Sequence, residues 1–169
     1  MSLIIESGAV VANAESYASV TELRAYAARR GVTVPATDPA CELLLIKAID
    51  YLQAQEGRFK GERTRRDQVL AWPRYSVVAN GYSVDSNSIP VDIKNAQMAL
   101  AIEAQTVDLM PTRDAADQRG PVTEETVDVL TTKYGPPAVN RSVTSFAKAN
   151  GLLDKFYKFG GGQIAVVRA

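Results

Sequence analysis

Histidine is absent from this sequence. That removes the side chain that titrates nearest neutral pH, the usual activator of serine and cysteine nucleophiles, and the commonest transition-metal ligand. Cysteine occurs once, as Cys41, which excludes an internal disulfide and any multi-cysteine metal site. No stretch approaches the ~20 apolar residues of a membrane span. The opening MSLIIESGAVV is apolar but lacks the basic start of a secretory signal. Net charge is missing as well, because 19 Lys plus Arg balance 19 Asp plus Glu. Chains that hold nucleic acid without regard to base sequence usually carry a marked basic excess, so only a local patch would serve here. These absences point away from an enzyme.

Phosphate and dinucleotide loops, the nucleophile elbow and paired zinc spacings are also missing. The triple glycine at 160–162 has no following Lys-Ser/Thr and reads as a hinge. Glu124, Glu125 and Asp128 form an acidic cluster, but carboxylates this close on an exposed segment are ordinarily just solvated. Ser145 and Lys148 share the spacing of a hydrolase motif without its companion motifs, which leaves a hydrolase as a third option. No catalytic, cofactor-binding or metal-ligating residue is assigned, and no cofactor is expected.

What the chain does contain is helical periodicity. In SVTELRAYAARR (19–30), Ser19 followed by Glu22 is a capping-box pair, with Val20, Leu23, Ala27 and Tyr26 as the inner face and Gly31 as the stop. Asp38 as N-cap and Pro39 at the first helical position open a helix over 38–55. Cys41, Leu44, Leu45, Ala48, Ile49 and Leu52 form its apolar stripe, which makes Cys41 a buried small hydrophobe. A third helix is expected over 90–109, with Ile93, Ala96, Leu100, Ala104 and Val107 on one face and apolar residues on others, hence packed on more than one side.

Between these lies an irregular stretch, 57–88, in which Asn80-Gly81 marks a tight turn or small hairpin. Residues 112–120 read as an exposed loop. β-branched residues predict a strand or hairpin near 122–134, and Ser142 or Ser145 is placed to cap a short last helix with Phe146, Leu152, Leu153 and Phe156 inward. QIAVVRA suggests a terminal strand over 163–168. The expected fold class is mainly α, a small helical bundle with a long central loop and minor β. It forms one domain over 1–169, with a flexible arm at 1–14 and a glycine-hinged tail at 160–169.

The densest chemistry is in RFKGERTRRDQVLAWPR, residues 58–74. Arg58, Lys60, Arg63, Arg65, Arg66 and Arg74 outnumber Glu56, Glu62 and Asp67. Phe59, Trp72 and Tyr75 are interleaved with them, as stacking platforms for single-stranded nucleic acid would be. In the alternative, Phe59, Leu70 and Trp72 enter the core, Trp72-Pro73 anchors an extended segment, and the arginines meet a protein partner's carboxylates. Arg58, Lys60, Arg63, Arg65, Arg66 and Arg74 are therefore the candidate interface, with Phe59, Trp72 and Pro73 as structural anchors.

The ordered blocks ESYASVTELRAYAARRG (15–31), LLLIKAIDYLQ (43–53), RFKGERTRRDQVLAWPR and IPVDIKNAQMALAIEA, with the glycine-rich end before IAVVRA, resemble a family of tailed-phage and prophage proteins. Its members are often labelled DnaT-like ssDNA-binding proteins and are similar to head–tail connector (adaptor) proteins. The resemblance covers roughly 15–169, and its most specific piece is the Arg-Phe-Xaa-Gly-Xaa-Arg run followed by Gln-Xaa-Leu-Ala-Trp-Pro-Arg. It implies a structural subunit of a connector ring, found in the virion and in host cytoplasm before assembly. Its partners would be its own copies, the portal and the stopper or tail proteins. Double-stranded DNA would pass through the channel with weak contact, and no membrane is involved. The alternative that the label implies is a replication accessory protein that binds single-stranded DNA. Zero net charge favours the connector expectation, since a strand binder needs a stronger cationic funnel.

Overall fold

The computed structural model describes residues 3–111 and 145–158 and, as backbone, 122–126 and 131–134. The expected terminal strand at 163–168, the hinge at 160–162 and the loop at 112–120 lie outside the described residues. The chain divides into two compact units, one of residues 1–109 with 146–169 and one of residues 110–145. In the smaller unit, β-branched segments pair antiparallel, Glu124 opposite Lys133 and Thr126 opposite Thr131, with an irregularity between Val122 and Glu124.

In the larger unit, Ser19 and Glu22 cap α1 (Val20–Ala28) reciprocally. The Glu22 backbone N–H donates to Ser19 Oγ at 3.2 Å, and the Ser19 N–H donates to Glu22 Oε2 at 2.7 Å. Leu23, Tyr26 and Ala27 are the buried face. Helix α2 (Asp38–Ala54) buries Cys41, Leu44, Leu45, Ala48, Ile49 and Leu52, the stripe read from the spacing. Its N-cap is Thr37 rather than Asp38. Asp38 sits one residue further in, because its carboxylate accepts from Arg24 Nη1 at 2.5 Å.

Pro90 precedes α3 (Val91–Glu103), which packs against α1, α2 and a last helix, α4 (Ala147–Leu153). Fully buried Gln97 ties these layers together. Its Nε2 donates to Ser16 Oγ at 2.8 Å and Leu45 O at 3.1 Å, while its Oε1 accepts from the Tyr17 N–H at 2.9 Å. The third helix ends at Glu103, well short of 109, and the chain turns so that Val107 is exposed. Phe146 holds the N-cap position of α4, so Ser145 does not cap it, and Ser142 lies outside the described residues.

The expectation of a mainly α bundle with a long central loop needs correction. Four α-helices are accompanied, among the described residues, by three antiparallel strand pairs. These are β1 (Glu62–Arg63) with β2 (Arg74–Tyr75), β3 (Val78–Ala79) with β4 (Tyr82–Ser83), and β5 (Val122–Thr126) with β6 (Thr131–Tyr134). The central stretch is not a loop laid over a bundle, since Phe59, Leu70, Ala71, Trp72, Val77 and Ile89 are all core residues. Periodicity registers apolar residues only in regular elements. Here the irregular backbone is buried by having its polar groups met by side chains. Gln68 Nε2 donates to the carbonyls of Leu70 and Pro73, and the Trp72 N–H donates to Tyr17 Oη at 3.0 Å. Burial holds the Tyr17 phenol above its ordinary pKa, so it stays protonated.

Candidate nucleic-acid interface

The chain returns from α4 through a 3₁₀ turn, Asp154–Phe156, and lies antiparallel to residues 58–60. The Lys60 N–H donates to Phe156 O at 2.8 Å, the Lys158 N–H donates to Arg58 O at 2.7 Å, and Phe59 pairs with Tyr157 between them. Both segments of this join carry aromatic residues flanked by basic ones. The rings go inward. Phe59 stacks on Tyr157 with centroids 5.3 Å apart and meets Trp72 edge-on at 5.8 Å, and Trp72 meets Phe156 edge-on at 5.3 Å. Such pairs add to simple area burial, which explains why a non-repetitive segment holds a fixed course.

The cations go outward. Lys60, Lys155 and Lys158 line an open groove of about 770 Å³, together with Gly61, Asn80 and Asp154. Asp154 is the one carboxylate among the lining residues. Lys60 Nζ braces the groove by donating to Lys155 O at 2.8 Å and Val78 O at 3.3 Å. Lys155 Nζ pairs with the Asp92 carboxylate. Lys158 is exposed and its Nζ reaches Gly57 O at 3.3 Å, a contact that a stronger acceptor would readily displace. Arg58, also exposed, lies with its guanidinium carbon 4.2 Å from the Tyr157 ring centroid. Burial pushes the Tyr157 phenol up to about 12, against the opposing pull of Arg58.

The rest of the expected interface is distributed unevenly. Arg63 grips Glu56 with both prongs, Nε to Oε1 and Nη2 to Oε2 at 2.5 Å each, and donates from Nη1 to Gln68 O at 2.8 Å. Those hydrogen bonds hold the Glu56 carboxyl below the usual carboxylate range and raise the Arg63 pKa. Arg74 was expected to face a partner and does not. It is 5% exposed, and its guanidinium donates to the carbonyls of Lys60, Gly61 and Ala71, with Nη1 3.5 Å from Glu56 Oε1. Burial lowers its pKa, partly offset by Glu56. The physical reason is local: the β1–β2 pairing sets the carbonyls of Lys60 and Gly61, just before β1, near that of Ala71, just before β2, and a forked guanidinium satisfies all three at once. Arg65, Arg66 and Asp67 are exposed at the turn. Phe59, Trp72 and Pro73 are all buried, the last following a cis peptide bond.

Lys155 and Lys158 belong to this surface and were not singled out from the sequence. The signal was present, because KFYK (155–158), like RFK (58–60), has aromatic residues flanked by basic ones, and such segments are suited to burying rings while their cations stay in water. Among the described residues, no group of three or more His, Cys, Asp or Glu is placed to hold a metal ion, and no helix is long and apolar enough to cross a membrane.

A comparison with protein families matches residues 1–169 to the family described as "Putative DnaT-like ssDNA binding protein". Neither the curated proteins nor the solved structures gave a match.

Proposed function

Because the chain belongs to this DnaT-like ssDNA binding protein family, we propose that it contacts single-stranded DNA, along the groove lined by Lys60, Lys155 and Lys158. The observation that carries this reading is the antiparallel join, which brings Lys60, Lys155 and Lys158 to one groove, with Arg58 beside Lys158 and the aromatic rings packed beneath the join. Closely spaced cations release counterions from a phosphate backbone, and this is the sequence-independent part of nucleic-acid affinity. The chain as a whole is neutral, so the contact is local, modest in strength and sensitive to salt. The chemistry is binding, not catalysis.

A second reading, a connector-ring subunit of a phage virion meeting the portal and tail proteins, draws support from one observation. Arg63 and Arg74, the centre and end of the basic stretch, are engaged internally and leave Arg65 and Arg66 displayed side by side at the turn. Two adjacent arginines on a neutral protein suit a carboxylate-bearing neighbour better than a duplex. Detection of the chain in purified virions by mass spectrometry would favour this reading.

The first reading is tested by fluorescence anisotropy with a labelled oligothymidylate of about 16 nucleotides, the upper end of single-strand site sizes, at about 150 mM salt. The expected dissociation constant is in the range of about 1–100 µM, typical of contacts dominated by phosphates. No change in anisotropy at the top of that range would refute it.

A further inference from the structure

Beside that groove, and resting on the single-strand reading, the geometry points to a nucleobase subsite: the Arg58 guanidinium is a stacking platform for a base. A flexible arginine makes a poor platform, because its plane must be ordered before anything stacks on it. Arg58 is already held by two contacts, one of them to a ring that is itself fixed. Its guanidinium lies on the Tyr157 ring at 4.2 Å, that ring lies on Phe59, and Nη1 donates to Gln55 Oε1 at 2.8 Å. Tyr157 is buried while Arg58, whose guanidinium carbon lies over that ring, is exposed, so the guanidinium is the accessible layer of this stack. Guanidinium planes and aromatic rings are the two surfaces on which unpaired bases stack, and every base has a π-face to offer.

The neighbouring group completes a nucleotide site. Lys158 is held beside Arg58 by the 2.7 Å bond from its N–H to the Arg58 carbonyl, and its ammonium is exposed. A base on Arg58 thus leaves the adjoining phosphate within the field of Lys158, with Lys60 and Lys155 further along the groove. The assignment separates two roles that simple charge counting merges. Arg58 acts through its plane and Lys158 through its charge.

The test compares wild type, Arg58→Lys and Lys158→Gln on two labelled single strands of equal length, one oligothymidylate and one of abasic sugar-phosphate. Arg58→Lys keeps the charge and removes the plane. It is expected to weaken binding to the base-bearing strand about tenfold, in line with the stacking contribution of one base, and to leave binding to the abasic strand unchanged. Lys158→Gln is expected to weaken both strands equally. Thermal melts matching wild type show that each variant is folded. Equal loss on both strands for Arg58→Lys, or no loss on either, would overturn the platform while the single-strand reading stands. Absence of wild-type binding to both strands would overturn the two together.

Discussion

Gly61 and Gly31 share the same left-handed backbone, φ +65°, and differ in what surrounds them. A Cβ added at Gly31 meets nothing within 4 Å. A Cβ added at Gly61 would stand 2.1 Å from the Tyr75 carbonyl oxygen and 2.7 Å from Val77 Cγ2. Changing each to alanine therefore isolates the close approach from the cost of the dihedral. Gly31→Ala is expected to cost about 1 kcal/mol, the ordinary penalty for a side chain in left-handed geometry. Gly61→Ala carries that penalty plus displacement of the β1–β2 pair, where the obstacle is backbone that cannot rotate away. Overpacking of this kind adds roughly 1–3 kcal/mol, for a total of about 2–4 kcal/mol. The displacement also pulls at Arg74, whose Nη2 donates to Gly61 O at 2.7 Å. Urea denaturation followed by tryptophan fluorescence measures both, since Trp72 is the only tryptophan and lies in the core beside this turn. Midpoints that agree to within about 0.5 kcal/mol between the two variants would refute the argument that Gly61 is required by contact.

Other expectations concern the supports of the same region. Trp72→Ala removes a ring packed on Phe59 and Phe156 and is expected to cost about 3–5 kcal/mol in denaturant titration followed by circular dichroism. Gln97→Leu leaves the Tyr17 N–H and Leu45 carbonyl without their present partner, so calorimetry should show a loss of about 1–3 kcal/mol despite the larger apolar area. The Glu56 carboxyl has a folded pKa below its unfolded one, chiefly through its bonds from Arg63. Its contribution is therefore complete above the ordinary carboxylate range and disappears as pH falls through the folded value. Glu56→Gln is expected to melt about 2–5 °C below wild type at pH 7, and the gap should narrow towards pH 3. A gap that stays constant with pH would contradict the ion pair as its source.

The regular part of the fold was legible from spacing. Ser19 and Glu22 cap α1 as their pattern requires, the Cys41-to-Leu52 stripe is buried, and Asn80-Gly81 turns β3 into β4. What escaped was the architecture of 55–90, where burial has no period. Around buried Trp72 the backbone is satisfied by Gln68, Gln53 and Tyr17, and the last two reach across 18 and 55 positions, which no local pattern announces. The same holds for charge. Arg65 and Arg74 look alike in sequence, yet one is exposed at a turn and the other fills a nest of carbonyls. The groove depends on residues about a hundred positions apart, Lys60 with Lys155 and Lys158, so two of its three lining cations follow only from the pairing of the two segments.

The salt dependence of single-strand binding tests the groove most directly, because it counts the cations that touch phosphate. If Lys155, Lys158 and one or two neighbours do so, the logarithm of affinity should fall against the logarithm of salt with a slope of about −2 to −3. Lys158→Gln should make that slope shallower by about 0.7 while leaving the melting temperature unchanged. A slope unaltered by Lys158→Gln, or one abolished instead by Arg65→Ser with Arg66→Ser, would place the contact elsewhere and contradict the account.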